Sequence, residues 1–292
     1  MRLDYSIDDV LPYVNWIYFF HAWGSNGQSR QDKDGLRQEA EERLSRYADR
    51  YRTHAVFELY DAYSEGDDIV VSRGMRNEEL GGDACEARRI PCLRQQQQGT
   101  DYLCLADFIS PAEKSRTSHL ASSTSHSVLP TNQIGVFATT VDLGLETDFA
   151  HDPYEKMMMQ LLADRLAEAT AERMHEEVRK KYWGYATDEQ LTIPEMLNEH
   201  WQGIRPAVGY PSLPDTSLNF VIDQLLNLSQ IGIRLTESGA MKPHASVSGL
   251  MLAHPDARYF SIGKIGDDQL RDYALRRGIP VELMRKFLGG CL

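Results

Sequence analysis

Cysteine is scarce. Only Cys85, Cys92, Cys104 and Cys291 occur in 292 residues, none in a Cys-x-x-Cys pair, and no histidines cluster at zinc-finger spacing. Four cysteines in a chain of this length do not suggest a disulfide scaffold, and a structural metal is disfavoured. Long apolar runs are also missing. The densest, Trp16 to Phe20, is far too short to cross a bilayer, and the N-terminus has no basic start followed by an apolar stretch, so no secretory signal is expected and the default compartment is the cytoplasm. Positive charge is in deficit, with 31 Lys and Arg against 43 Asp and Glu and a formal charge of −12. A duplex-binding protein needs cations against phosphates, so a nucleic-acid partner is disfavoured, whereas a cationic ligand would be modestly attracted. Finally, no Walker sequence, G-x-G-x-x-G, G-x-S-x-G or H-E-x-x-H is present, and no Ser, His and Asp form an assignable triad. Nucleotide hydrolysis, Rossmann cofactor chemistry and serine-hydrolase chemistry lose their usual supports.

What is present reads as strands in runs and helices in runs, without regular βαβ alternation. This predicts an α+β fold with a largely antiparallel, twisted sheet flanked by helices, in one domain over residues 1–292. Ser6-Ile-Asp-Asp9 is a capping-box start for a short helix, and a densely aromatic stretch, Asn15 to Trp23, follows. Asp34 to Arg52 reads as a charged, mostly exposed helix. Ala55 to Tyr60 and Asp68 to Val71 flank Gly66 as a hairpin; Tyr102 to Ile109 and Gln133 to Val141 read as further strands. Arg94 to Gln98 reads as a solvated turn or strand edge, and the Ser/Thr-rich 115–130 segment as a mobile surface loop.

Tyr154 to Trp183 gives the strongest helical pattern. At about 100° per residue, Met158, Leu162, Leu166 and Ala169 share one arc and should face the core. Asp164, Glu168, Glu172, His175 and Arg179 share another, which on pattern alone is a solvated face. Thr192-Ile-Pro-Glu195 is a second capping box. A helix is expected over Ser217 to Gln230, short strands near Arg234 to Thr236, Ser246 to Leu252 and Arg258 to Ile262, then helices Asp267 to Arg277 and Val281 to Leu288 around Gly278 and Pro280.

Conformationally special residues concentrate beside ionic ones between Glu199 and Pro211. Gly and Pro there fix an irregular backbone that can approach a ligand closely. Arg205 offers a planar fork suited to a carboxylate, or equally to a structural ion pair.

The stretch GIRPAVGYP (Gly203 to Pro211), with LTESGAMKPHASVSG (Leu235 to Gly249) and HPDARYF (His254 to Phe260), resembles the S-adenosylmethionine-binding activation domain of cobalamin-dependent methionine synthase. Asn15-Trp16 with Phe19, Phe20 and Trp23, then Gly66 to Ile69, Leu105 to Phe108, Ala163 to Ala169 and Val178 to Ala186 fall in the order of that family. The resemblance runs over nearly the whole chain and is weakest from about Asp83 to Pro130.

The resemblance implies a ligand, S-adenosylmethionine, with Arg205 on its carboxylate and the backbone from Ala207 through Gly209 to Tyr210 beside its nucleoside. Tyr259 and Phe260 match the family's aromatic contact pair. Glu168 and Glu199 match acidic positions suited to the ammonium and sulfonium. Asn15 stands where the family usually has Asp, so one acidic contact is replaced by an amide. Asp164 matches a residue facing the cobalamin-bearing module. The implied activity is reductive re-methylation of Co(II) cobalamin, with an electron from a flavodoxin-like or equivalent donor and no side chain acting as nucleophile or base. The 292 residues hold no D-x-H-x-x-G signature and no Cys-Cys zinc pair. The expectation is therefore a domain working in trans, with cobalamin carried by a methionine synthase lacking this domain. The alternative is a non-catalytic S-adenosylmethionine-binding regulatory module for a corrinoid protein.

Overall fold

The computed structural model describes residues 1–25, 27, 29–72, 87–112 and 132–292. The expected mobile loop at 115–130 and Cys85 lie outside the described residues. In chain order the regular elements are β1 (Arg2–Ser6), α1 (Ile7–Val10), α2 (Trp16–Ala22), α3 (Arg30–Tyr47), β2 (Arg52–Glu65), β3 (Asp68–Ser72), β4 (Arg88–Pro91), β5 (Gln133–Val141), α4 (Gly144–Thr147), α5 (Pro153–Glu177), α6 (Ile193–Leu197), α7 (Leu218–Leu226), β6 (Arg234–Leu235), β7 (Met241–Lys242), β8 (Ser246–Met251), α8 (Asp267–Arg277) and α9 (Val281–Phe287).

The main sheet has the order β4-β3-β2-β5-β8, with β1 also on β2; β6 and β7 form a second, two-stranded sheet. β1 pairs antiparallel with the first part of β2, from Arg2 opposite Val56 to Ser6 opposite Arg52. The last part of β2 pairs with β3, from Asp61 opposite Ser72 to Glu65 opposite Asp68. β4 adds antiparallel to β3. The turn between β2 and β3 uses Gly66 at φ 60°, a left-handed conformation that glycine adopts without a Cβ penalty. The α+β class and the antiparallel sheet are thus as the sequence implies.

The helix starts follow their caps. Ser6 and Thr192 close reciprocal capping boxes with Asp9 and Glu195, satisfying N–H groups that a helix cannot satisfy itself. α3 begins earlier than Asp34, because Ser29 accepts the Asp32 N–H at 3.2 Å, and it ends at Tyr47; Arg52 already opens β2. The expected strand Tyr102 to Ile109 is not one. Tyr102 is left-handed at φ 54°, and the Asp107 carboxylate takes the Cys104 N–H at 2.8 Å, turning Leu105–Phe108 into a 3-10 helix. Arg258 to Ile262 likewise lies outside any strand. The helix expected to run to Gln230 stops at Leu226, where left-handed Asn227 (φ 53°) diverts the chain into a 3-10 turn. Gly278 in the left-handed region ends α8, and its N–H and that of Ile279 cap the last carbonyls, the glycine ending expected from sequence.

Contacts group the chain into two compact units of three segments each. The first comprises Met1–Phe57, Phe137–Trp201 and Leu226–Ser248; the second comprises Glu58–Val136, Gln202–Leu225 and Gly249–Leu292. In the first unit α5 is the organising helix. Met158, Leu162, Leu166 and Ala169 are buried, as their spacing predicts, and each large side chain of this kind contributes roughly 1.5–3 kcal/mol when fully buried. Ala163, Ala167 and Ala171 are buried as well, and the Thr139 hydroxyl of β5 donates to the Ala167 carbonyl at 2.9 Å. Small residues let helix and strand approach closely enough for that bond. The charged arc does not behave as a solvated face. Asp164, Glu168 and Glu172 are half-buried, and His175 and Arg179 are buried outright.

In the second unit α8 and α9 close an apolar cluster of Leu93, Ile262, Ile265, Leu270, Tyr273, Met284 and Leu288. The polar tract after β4 is a turn that exposes Gln96, Gln97 and Gln98, as expected, but its first two side chains are structural. Arg94 is gripped by Asp67 at 2.6 Å and Asp107 at 2.7 Å. The buried Gln95 side chain accepts the Leu103 N–H at 3.0 Å and donates to the Ser261 carbonyl at 2.8 Å.

Candidate functional site

Within the second unit, the Gly203–Pro211 loop is held against residues 249–252. Gly203 has φ 87°, and a Cβ there would lie 2.1 Å from the Leu252 carbonyl oxygen, so only glycine permits the approach. Ile204 and Leu252 exchange both main-chain hydrogen bonds at 2.9 Å, and the Leu250 N–H reaches the Pro206 carbonyl at 3.0 Å. Ala207 bridges antiparallel to Gly249. The loop then turns at Gly209 (φ 89°): the Gly209 N–H donates to the Leu213 carbonyl at 2.8 Å, and the Leu213 N–H returns to that of Tyr210 at 2.9 Å. This leaves the Tyr210 ring at the tip, 53% exposed.

The same loop meets the Tyr259–Phe260 segment. The Arg205 backbone N–H donates to the Tyr259 hydroxyl oxygen at 2.9 Å. The buried Ser212 hydroxyl donates to the Phe260 carbonyl at 2.6 Å and accepts the Phe260 N–H at 3.4 Å. One residue away, the Ile262 N–H donates to the Pro211 carbonyl at 2.9 Å. Phe108 packs 6.5 Å, centroid to centroid, from the Phe260 ring and 6.0 Å from His254. Arg205, Ala207, Gly209, Tyr210, Tyr259 and Phe260, six of the residues singled out from sequence, are therefore in one connected piece of structure. The loop's far end is anchored by buried Asp215. Its carboxylate accepts from the Tyr273 hydroxyl at 2.8 Å, Arg277 Nε at 3.2 Å and the Ser217 N–H at 2.9 Å. Burial, with that carboxylate beside it, pushes the Tyr273 phenol well above its ordinary range.

The remaining singled-out residues belong to the first unit. Asn15 is the N-cap of α2, its side-chain oxygen accepting the Ile17 N–H at 3.2 Å. Asp164 and Glu168 stand one turn apart on α5, both half-buried. Burial pushes the Asp164 carboxyl up, Glu146 and Glu168 push it further, and Arg165 and His244 pull the other way. Glu199 is exposed and left-handed at φ 59°. Its N–H bonds to the Met196 carbonyl and that of His200 to the Glu195 carbonyl, the closing pattern of a helix whose penultimate position is ordinarily glycine. Nearby in sequence, Arg179 is 1% exposed and forks onto Glu189 at 3.0 and 2.6 Å. It also bonds His175 Nδ1 at 2.9 Å and lies 4.9 Å over the Trp201 ring.

The model of the vitamin B12-dependent methionine synthase activation domain matches residues 6–278. The chain belongs to that family. Among solved structures, it is similar to the MetH reactivation domain crystallised with AdoHcy, at 35% identity and a TM-score of 0.84, over 100% of this chain and 90% of that one. Among the described residues of this activation domain no group of His, Cys, Asp and Glu could hold a metal ion, and no helix is long and apolar enough to cross a membrane.

Sequence reading missed two side chains that shape the loop of this activation domain, Ser212 and Asp215. A local signal existed for Asp215, since Asp-Thr-Ser is a common Asx-turn pattern and the Asp215 carboxylate does take the Ser217 N–H. Ser212 carries no such signal, because its partner Phe260 is 48 positions away.

Proposed function

We propose that this activation domain binds S-adenosylmethionine through the Arg205 loop and the Tyr259–Phe260 segment, and supports reductive re-methylation of cobalamin carried in trans by a methionine synthase lacking this domain. The observation that carries the reading is the joining of Arg205 to Tyr259, and of Ser212 to Phe260, within one unit. The donor set fits the ligand. Arg205 is half-buried and supplies a bidentate cation for a carboxylate. Gly209 lets the backbone from Ala207 to Tyr210 approach a nucleoside, and Tyr210, Tyr259 and Phe260 supply rings to pack on it. The family resemblance alone adds Glu168 and Glu199 as acids for the ammonium and sulfonium, and Asp164 as the residue toward the partner module. S-adenosylmethionine, when bound, supplies a methyl group on a sulfonium to cobalamin that a flavodoxin-like or equivalent donor has reduced from Co(II). This chain's own residues hold, orient and neutralise; none needs to move a proton.

Arg205→Ala is expected to weaken S-adenosylmethionine binding by about 10- to 100-fold, as loss of a charge-assisted hydrogen bond implies, and Arg205→Lys to restore it only in part. Calorimetry on the three proteins checks this, and wild-type affinity in Arg205→Ala would remove the central residue of the site. A second reading, a regulatory module that binds without supporting transfer, is favoured by Asn15, whose amide oxygen is engaged in capping α2 and which brings no charge to an ammonium. Labelled S-adenosylmethionine, a reductant and a Co(II) cobalamin-loaded partner separate the two readings. Label transferred to cobalt supports re-methylation, and binding without transfer supports the module.

A further inference from the structure

The geometry points to Tyr259 as a positioning residue for Arg205, with its hydroxyl serving the carboxylate end of the ligand and its ring the nucleoside end. This rests on the reading given under Proposed function and goes beyond it, because it divides one side chain between two parts of the ligand.

Residues 204–207 run extended beside 249–252, and in an extended segment successive N–H groups point to opposite sides. The Ile204 N–H points at Leu252 and is bonded there. The Arg205 N–H therefore points away from that strand, and it is there that the Tyr259 hydroxyl meets it at 2.9 Å. The peptide preceding Arg205 is thus fixed from both sides, through the Ile204 carbonyl to the Leu252 N–H and through the Arg205 N–H to Tyr259. The direction of the Arg205 Cα–Cβ bond follows that peptide plane, so the phenol sets where the guanidinium starts from. A second cross-link, Ser212 to the Phe260 main chain, closes a ring through the 205–212 loop and the 259–260 segment. It holds the Phe260 main chain and not the Arg205 peptide. A phenol has both an acceptor and a donor face; phenylalanine keeps the ring and loses both.

The test uses Tyr259→Phe, with Ser212→Ala as its counterpart, and two probes: S-adenosylhomocysteine, which carries the amino-acid carboxylate, and 5′-methylthioadenosine, which does not. Tyr259→Phe is expected to weaken S-adenosylhomocysteine binding about five- to tenfold, the size of one neutral hydrogen bond, and to leave methylthioadenosine within about twofold. Ser212→Ala is expected to weaken both probes alike. In the ligand-free protein the Arg205 amide should exchange with solvent about five- to tenfold faster in Tyr259→Phe than in wild type. Equal loss of both probes in Tyr259→Phe, no loss of either, or unchanged Arg205 exchange would overturn the assignment. Wild-type protein that binds neither probe would defeat the proposed function instead, and the exchange rate would still decide the Tyr259 link.

Discussion

Two helices of the first unit carry charges at helical spacing, and they use them in opposite ways. Over the N-terminal part of α3 the pairs are laid out for water: Arg30 and Asp34 are 97% and 72% exposed at 3.9 Å, and Arg37 bonds Glu41 at 2.8 Å with both side chains well exposed. On α5 and the π-helical turn after it (Val178–Tyr182) the row descends inward, from half-buried Asp164 and Glu168 to Arg179, fully buried against Glu189. The spacing of charges is the same kind of pattern in both. At the Arg179 end what separates them is the chain that returns over the second helix, residues 183–201, whose Glu189 and Trp201 take up Arg179. A charged stripe is solvated only if nothing comes back to cover it, and that is a tertiary fact.

The contrast can be broken most severely at Arg179. Arg179→Met strands the Glu189 carboxylate in a buried position and is expected to destabilise the protein by about 3–5 kcal/mol in urea unfolding, with the Arg179→Met, Glu189→Leu double variant recovering a large part of the loss. A single variant within about 1 kcal/mol of wild type would show that the pair is dispensable.

A smaller effect is expected at Asp164, and its sign follows from linkage. The folded carboxyl holds its proton to a higher pH than in the unfolded chain. Between the ordinary carboxylate range and that raised value the folded state binds more protons, so stability falls as pH rises through this window, and the penalty is full above it. Asp164→Asn should therefore be more stable than wild type near pH 7, with the advantage fading as pH falls through the carboxylate range. A difference that stays constant with pH would contradict the burial cause.

The smallest effect belongs to α3: Arg30→Ala should change stability by less than about 0.5 kcal/mol, since exposed pairs are screened. A larger loss by thermal unfolding would mean that the two stripes differ less than their exposure indicates.

Local rules carried the sequence reading as far as partners lay close in the chain. β5 and α8 have the expected bounds, Gln133–Val141 and Asp267–Arg277. β5 is a run of apolar and β-branched residues, and α8 ends at a glycine. β1 escaped notice because five residues next to a capping box show too little alternation. Leu103 to Leu105 has strand-like composition, but Asp107 offers the backbone a nearer partner. In the site, Gly203, Arg205 and Gly209 stand out by residue type alone: glycines suited to a close approach and a left-handed turn, and an arginine fork. The links to Tyr259, Phe260, Tyr273 and Arg277 span 54, 48, 58 and 62 positions, beyond the reach of any spacing rule.

The division of the chain into units of three segments each has a consequence for assembly. The chain alternates between the units, crossing at 57/58, 136/137, 201/202, 225/226 and 248/249. Neither unit can be finished while the chain is still emerging from the ribosome at residue 200, because each takes segments from beyond it. Contacts that close such long loops are slow to form, so neither unit is expected to fold before its last segment has been made. No single proteolytic cut can release either unit intact.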